Sequence, residues 1–204
     1  MEVLNIDTNQ EQAAQILREG GVILYPTDTL YWLGADAFSD DAVHKIYEIK
    51  GRDPQKPIHA IFADVSMIER YAELNDVARA LIKKFLPGAL TLILKKKDTV
   101  QGGIARDRET IGVRIPNNSF CIEVAQIYGA PYTATSANLA GERTEDSVKS
   151  ILKQLGDRAV NIDAAFDGGV QSTRVASTVV DLSGETVRIL RESAISAAQI
   201  YAEL

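Results

Sequence analysis

The chain is poor in the residues that most often announce chemistry. Among its 204 residues there are one cysteine, Cys121, one tryptophan, Trp32, and two histidines, His44 and His59. A lone thiol closes no internal disulfide, and no Cys/His set has zinc-ligand spacing. Both a disulfide framework and structural zinc are excluded, and a reducing, cytoplasmic setting is the default. Basic charge is not in excess: 22 Lys and Arg face 28 Asp and Glu, a net charge of -6. Overall charge therefore draws no nucleic acid, and any polyanion site has to be local. Long hydrophobic runs are missing as well. The longest uncharged stretch, Val124–Gly141, is interrupted by Gln126, Pro131, Asn138 and hydroxyl side chains, so no membrane segment is expected. Met1–Asn5 has neither the basic nor the apolar region of a secretory leader, and the early Asp7 and Glu11 are foreign to a transit peptide.

Familiar nucleotide and hydrolase motifs are absent too. There is no Gly-x-x-x-x-Gly-Lys-Ser/Thr loop, no Gly-x-Gly-x-x-Gly after a strand and no Gly-x-Ser-x-Gly elbow. His44 and His59 have no spacing that marks a base or a metal ligand, so no metal site is assigned. What is present is ordinary globular composition: 46% hydrophobic, 25% charged, 14 Gly and 6 Pro. At this length a single core needs neither metal nor disulfide, and one domain over residues 1–204 is expected.

The periodicity reads as α/β. Thr8-Asn9-Gln10-Glu11 has capping-box form before Ala13, Ala14, Ile16 and Leu17, with Gly20-Gly21 as a stop, predicting a helix over 9–19. Val22–Tyr25 is a short apolar run ended by Pro26, a buried strand that delivers the loop Pro26–Tyr31 to its end. Helices are expected over 40–49, 76–86, 120–128, 145–155 and 193–204, and strands over 58–62, 90–94, 110–115 and 132–135. Runs 179–182 and 186–190, parted by Ser183-Gly184-Glu185, predict a hairpin.

Two constellations stand out. Lys50-Gly51-Arg52-Asp53-Pro54-Gln55-Lys56-Pro57 puts three cations and two prolines into a turn expected to be exposed, stiff and positive. It suits phosphates, or simply a solvated loop with basic residues at a helix C-terminus. Ala134–Gly141 leaves a strand with Ser136 and Asn138 two residues apart. This suits ligand hydrogen bonding at a strand end, or an Asx or Ser/Thr turn closing a loop.

With Tyr25-Pro26-Thr27-Asp28-Thr29-Leu30-Tyr31, these blocks resemble in order and spacing the YrdC family of threonylcarbamoyl-AMP synthases. The resemblance continues through Pro87–Leu94, Thr110–Pro116, Asp167-Gly168-Gly169, Ser177–Leu182 and Ile189-Leu190-Arg191, covering about residues 10–196. No residues remain for the extra C-terminal domain of longer members. It implies a single-domain α/β fold, a twisted mixed sheet flanked by helices around a large concave basic cavity. It further implies a nucleotidyltransferase that makes threonylcarbamoyl-AMP and pyrophosphate from L-threonine, bicarbonate and ATP, with Mg²⁺ accompanying ATP and no tightly bound organic cofactor. The product feeds a downstream tRNA threonylcarbamoyl-transferase complex that makes threonylcarbamoyladenosine in tRNAs reading ANN codons.

By motif, Lys50, Arg52, Ser136 and Asn138 match the family's tetrad for nucleotide and substrate, with Lys50 and Arg52 supplying catalytic charge. Lys56, Thr110 and Arg191 are added as ATP contacts. Thr29, Arg114 and Ser177 match the L-threonine site, with Arg114 gripping the carboxylate. Ser136 and Asn138 are expected to reach ligand rather than local backbone, so that Asn138→Ala weakens ATP binding more than it lowers the melting temperature.

Departures from the family pattern bear on the pocket. Trp32 stands where the family usually has glycine; strand alternation favours an outward indole, whereas an inward one narrows the substrate site. The position where some members carry a threonine-contacting histidine is Ile61, with His59 two residues earlier, and the residues after Arg191 lack the usual glycine. The alternatives are a YciO-like paralogue of different activity, against which the intact tetrad argues, and a module for double-stranded RNA or tRNA using Lys95-Lys96-Lys97, Arg106 and Arg108. A solvated strand end that guards against edge pairing is the simpler account of Lys95–Lys97.

Overall fold

The computed structural model describes residues 1–172 and 175–204. Its strands are β1 (Glu2–Asn5), β2 (Ile23–Pro26), β3 (Tyr31–Gly34), β4 (His59–Ile61), β5 (Leu90–Lys95), β6 (Thr110–Arg114), β7 (Tyr132–Ser136), β8 (Ala164–Asp167), β9 (Thr178–Asp181) and β10 (Arg188–Arg191). Its helices are α1 (Gln10–Arg18), α2 (Asp40–Lys50), α3 (Val65–Tyr71), α4 (Asp76–Phe85), α5 (Ser119–Tyr128), α6 (Val148–Leu155) and α7 (Ala197–Tyr201), with 3-10 turns over Gly103–Ala105 and Gly156–Asn161.

Among the described residues the strands form one mixed sheet in the order β1-β8-β2-β3-β7-β4-β6-β5-β9-β10. Pairs β1/β8, β2/β8, β4/β6 and β5/β9 run parallel; β2/β3, β3/β7, β4/β7, β5/β6 and β9/β10 run antiparallel. The central strands are apolar almost throughout because helices cover them, and the buried side chains make one contiguous core. The expected α/β class and the hairpin of β9 and β10 are as the periodicity indicates.

Local chemistry sets the helix boundaries. Ser39, Asp64, Asn75, Asn118 and Ser147 each accept a backbone N–H at a helix start. Ser147 is why α6 begins at Val148 rather than at Glu145. The capping box expected at Thr8 does not form: Asn9 occupies the N-cap of α1 and makes no side-chain cap bond. A reciprocal box does form at Ser196 and Gln199, which fixes the short α7 inside the expected 193–204. Elements β1, β3, α3 and β8 have no counterpart in the sequence reading. β1 is a mostly exposed edge strand, and β8 (Ala-Ala-Phe-Asp) is weak in β-propensity and ordered by its parallel neighbours β1 and β2.

Candidate functional site

Strand register decides which side chains meet. Directly paired residues share a face. The pairs Trp32↔Ser136, Ala134↔His59, His59↔Gly112 and Ile61↔Arg114 therefore put Trp32, Ser136, His59 and Arg114 on one face, with Thr110 in step with Gly112 and Arg114. The pairing of Leu92 with Val113 puts Thr91 on the same face, and Val179 pairs with Thr91. In β10 the register slips between Ile189, opposite Val180, and Arg191, opposite Val179. This bulge turns Arg191 to the shared face, where regular pairing would have sent it to the other side. Residues from seven strands thus share one surface.

At one end of this face α2 stops. Gly51 adopts φ 57°, and its N–H and that of Arg52 cap the carbonyls of Glu48 and Tyr47. Lys50, the last helical residue, is 2% exposed, which corrects the expected exposed turn. Its Nζ donates to the Ser136 carbonyl, to the Asn138 carbonyl at 3.1 Å and to Asn138 Oδ1 at 3.2 Å, while its own carbonyl accepts from Ala140 N at 2.8 Å. The helix end and the loop after β7 are clamped together. Burial first, and neighbouring Arg52 second, pull the Lys50 ammonium down to about 7.

Asn138 joins the parts. Its Oδ1 also accepts from Ser136 Oγ at 2.5 Å and Thr144 Oγ1 at 3.3 Å, and its Nδ2 donates to the carbonyls of Leu139 at 2.8 Å and Glu142 at 2.7 Å. The expectation that Ser136 and Asn138 avoid local partners does not match this network, in which the Asn138 amide is engaged by the chain itself. Arg52 is half-buried and donates from Nη2 to Pro57 O at 3.1 Å; its buried Nε has no partner among the described residues. Lys56 is exposed and Thr110 half-buried.

Further along the face Arg114 is fully buried. Nη2 donates to Asp28 Oδ1 at 2.6 Å, Nη1 to Thr29 Oγ1 at 3.1 Å and Nε to Gly88 O at 3.4 Å. Burial pulls its pKa down and the Asp28 carboxylate opposes that. Thr29, itself 2% exposed, is fixed through the Thr27 hydroxyl at 3.0 Å. The Trp32 ring lies beneath the Arg114 guanidinium, 4.9 Å from centroid to Cζ. Trp32 is 5% exposed and faces the site side, which corrects the outward placement. At the far end Arg191 donates from Nε to Ser177 O at 3.0 Å and from Nη2 to Ser177 Oγ at 3.2 Å, and the Ser177 hydroxyl meets Thr91 Oγ1 at 2.9 Å.

Sequence reasoning named His59 beside Ile61 but gave it no role. Its ring packs over Gly112, where a Cβ would collide with the imidazole. Burial, then the fields of Arg191, Arg52 and Arg114, hold it down at about 4, so it is neutral among three guanidiniums. The signal that could have found it is parity: two residues before Ile61, it shares the face of Arg114.

The surface is rich in basic side chains, with two carboxylates bonded within it, Asp28 to Arg114 and Asp181 to Arg188. Among the described residues no three His, Cys, Asp or Glu side chains are grouped to hold a metal ion, and no helix is long and apolar enough to cross a membrane. A cleft of about 740 Å³ lies elsewhere, between α2 and the Gly103–Arg108 segment, lined by Asp40, Tyr47, Arg106 and Arg108 among others.

Fold and site together define a mixed-sheet α/β domain with a cationic, hydroxyl-bearing face. The model of the Sua5/YciO/YrdC family, described as telomere recombination, matches residues 15–193, and the chain belongs to that family. A threonylcarbamoyl-AMP synthase of Bacillus subtilis is 37% identical over 198 residues, 96% of this chain and 56% of that protein. A Methanocaldococcus jannaschii relative is 34% identical over 93% of this chain and 91% of its own length. The structure of P. abyssi Sua5 complexed with L-threonine superposes with a TM-score of 0.92 at 30% identity, covering 100% of this chain and 61% of that one. The chain thus spans little more than half of the Bacillus subtilis relative.

Proposed function

We propose that the chain is a threonylcarbamoyl-AMP synthase, a nucleotidyltransferase acting within one domain over residues 1–204. The observation that carries this reading is that Ser136, Arg114 and Arg191 share one sheet face, with Lys50 and Asn138 bonded together beside Ser136, Thr29 bonded to Arg114, Ser177 bonded to Arg191, and Arg52 near enough for its charge to act on His59. L-threonine and bicarbonate condense, with loss of water, to a carbamate. One carbamate oxygen attacks the α-phosphate of ATP; the bond to the β-phosphate oxygen breaks and pyrophosphate leaves. Such a displacement needs alignment and positive charge more than a protein nucleophile. Arg52 and Lys56 meet the phosphates, Lys50 adds charge from behind the 136–138 loop, and Thr110 and Arg191 contact the nucleotide. Arg114, steadied by Asp28 and Thr29, grips the threonine carboxylate beside Ser177. Mg²⁺ accompanying ATP would offset phosphate charge and would be held by the phosphates, since among the described residues no three His, Cys, Asp or Glu side chains are grouped to hold it.

The basic lining supports an enclosing cavity for these substrates, and the product passes to the downstream tRNA threonylcarbamoyl-transferase in the cytoplasm. Direct binding of tRNA or double-stranded RNA has less support. Arg106 is committed to Asp40, and Arg108 donates to Gln55 O at 2.6 Å.

The test is to incubate the chain with ATP, bicarbonate and L-threonine and follow threonylcarbamoyl-AMP by mass spectrometry. Product dependent on all three, reduced about 10²-fold or more in Arg52→Ala, is expected from loss of one preorganised donor. Pyrophosphate release indifferent to the amino acid would reject the proposal.

A further inference from the structure

Trp32 presents an unanswered hydrogen-bond donor on the site face. It is 5% exposed, and its Nε1–H has no partner among the described residues. A buried indole N–H usually finds an acceptor, because an orphaned donor forfeits the solvation it had in water. Its ring lies against Arg114, whose guanidinium is held by Asp28 and Thr29, and register sets Trp32 directly beside Ser136. A cation and an unpaired neutral donor so close together suit an oxygen anion that can accept from both.

We infer that Trp32 is a substrate-contacting residue: its Nε1–H donates to a carboxylate oxygen of the α-amino acid bound at Arg114, and its ring forms a wall of that subsite. The inference rests on the proposed amino-acid site at Arg114 and adds a donor to it. Stacking on Arg114 also fixes the plane in which the guanidinium presents its N–H groups.

Trp32 is the chain's single tryptophan, so its emission reports this position alone. L-threonine titrated into the intact chain should change the emission saturably, with the midpoint found by calorimetry. Trp32→Phe keeps an aromatic ring against Arg114 but deletes the N–H. Its dissociation constant for L-threonine should rise about tenfold, the loss of one hydrogen bond to a charged group, with the KM for ATP and the melting temperature unchanged. Calorimetric binding with silent emission, or unaltered affinity in Trp32→Phe, would overturn the Trp32 contact while leaving the functional proposal standing. Equal losses for ATP and L-threonine together with a lowered melting temperature would assign Trp32 a purely structural part and also overturn it. Failure of L-threonine to bind at all would remove the amino-acid site itself, and the proposed function with it.

Discussion

Replacing Asn138 by alanine tests the network that joins α2 to the loop after β7. The substitution removes two donors, to Leu139 O at 2.8 Å and Glu142 O at 2.7 Å, and the acceptor of the Lys50 bond at 3.2 Å. Each neutral bond contributes about 1 kcal/mol net and the charged one about 1.5 to 3. The Ser136 and Thr144 hydroxyls can rotate to other partners and add little. The expected loss is therefore about 3 to 5 kcal/mol. For a chain of this size each kcal/mol moves the melting temperature by about 2 to 4 °C, so a fall of roughly 6 to 20 °C should appear in thermal unfolding followed by circular dichroism. Ser136→Ala, which gives up the single bond to Oδ1, should cost about 1 kcal/mol. An Asn138→Ala melting temperature within about 2 °C of the parent would refute the network. The outcome predicted here reverses the one drawn from the motif alone, because this side chain is already working in the fold.

Three further outcomes follow from the same face. Gly112→Ala drives a Cβ into the His59 ring and should cost about 1 to 3 kcal/mol by overpacking; an unchanged urea midpoint would show that the ring yields freely. Arg114→Met leaves Asp28 and Thr29 without their buried partner and should lower stability by about 3 to 5 kcal/mol, which equilibrium unfolding would contradict if the curves overlay. His59 titrates at about 4 in the fold against 6.5 ordinarily. As pH falls from 6.5 towards 4 the unfolded chain takes up a proton that the folded chain refuses, so stability declines across that window by up to ~1.4 kcal/mol per pH unit. His59→Gln should flatten that slope, and coincident pH profiles for the two proteins would count against a buried neutral imidazole.

Much of the fold was legible because the central strands are short apolar runs between turn residues, and several helices carry Ser, Asp or Asn caps. What failed did so for local reasons. Tyr31–Gly34 continues a loop in sequence and becomes β3 only by pairing with β2 on one side and β7 on the other. Without that pairing the orientation of Trp32 cannot be read, since alternation gives two opposite answers until register chooses one. Arg114 and Asp28 lie 86 residues apart, and their contact follows from sheet order rather than from any motif. Lys50 looked solvated because charge runs usually are; its burial is enforced by three acceptors on a loop nearly ninety positions later. The four residue types were recognisable in the sequence, but their division into a half-buried Arg52 and a Lys50 that holds the frame with Asn138 is a property of the packing.

The central claim is that the nucleotide lies on the face joining Arg52 to Arg114, and a crystal structure with a non-hydrolysable ATP analogue and L-threonine tests it most directly. The account predicts phosphate oxygens within hydrogen-bond distance of Arg52 and the 136–138 loop, with the threonine carboxylate at Arg114. A nucleotide seated instead in the cleft of about 740 Å³ between α2 and the Gly103–Arg108 segment would contradict it.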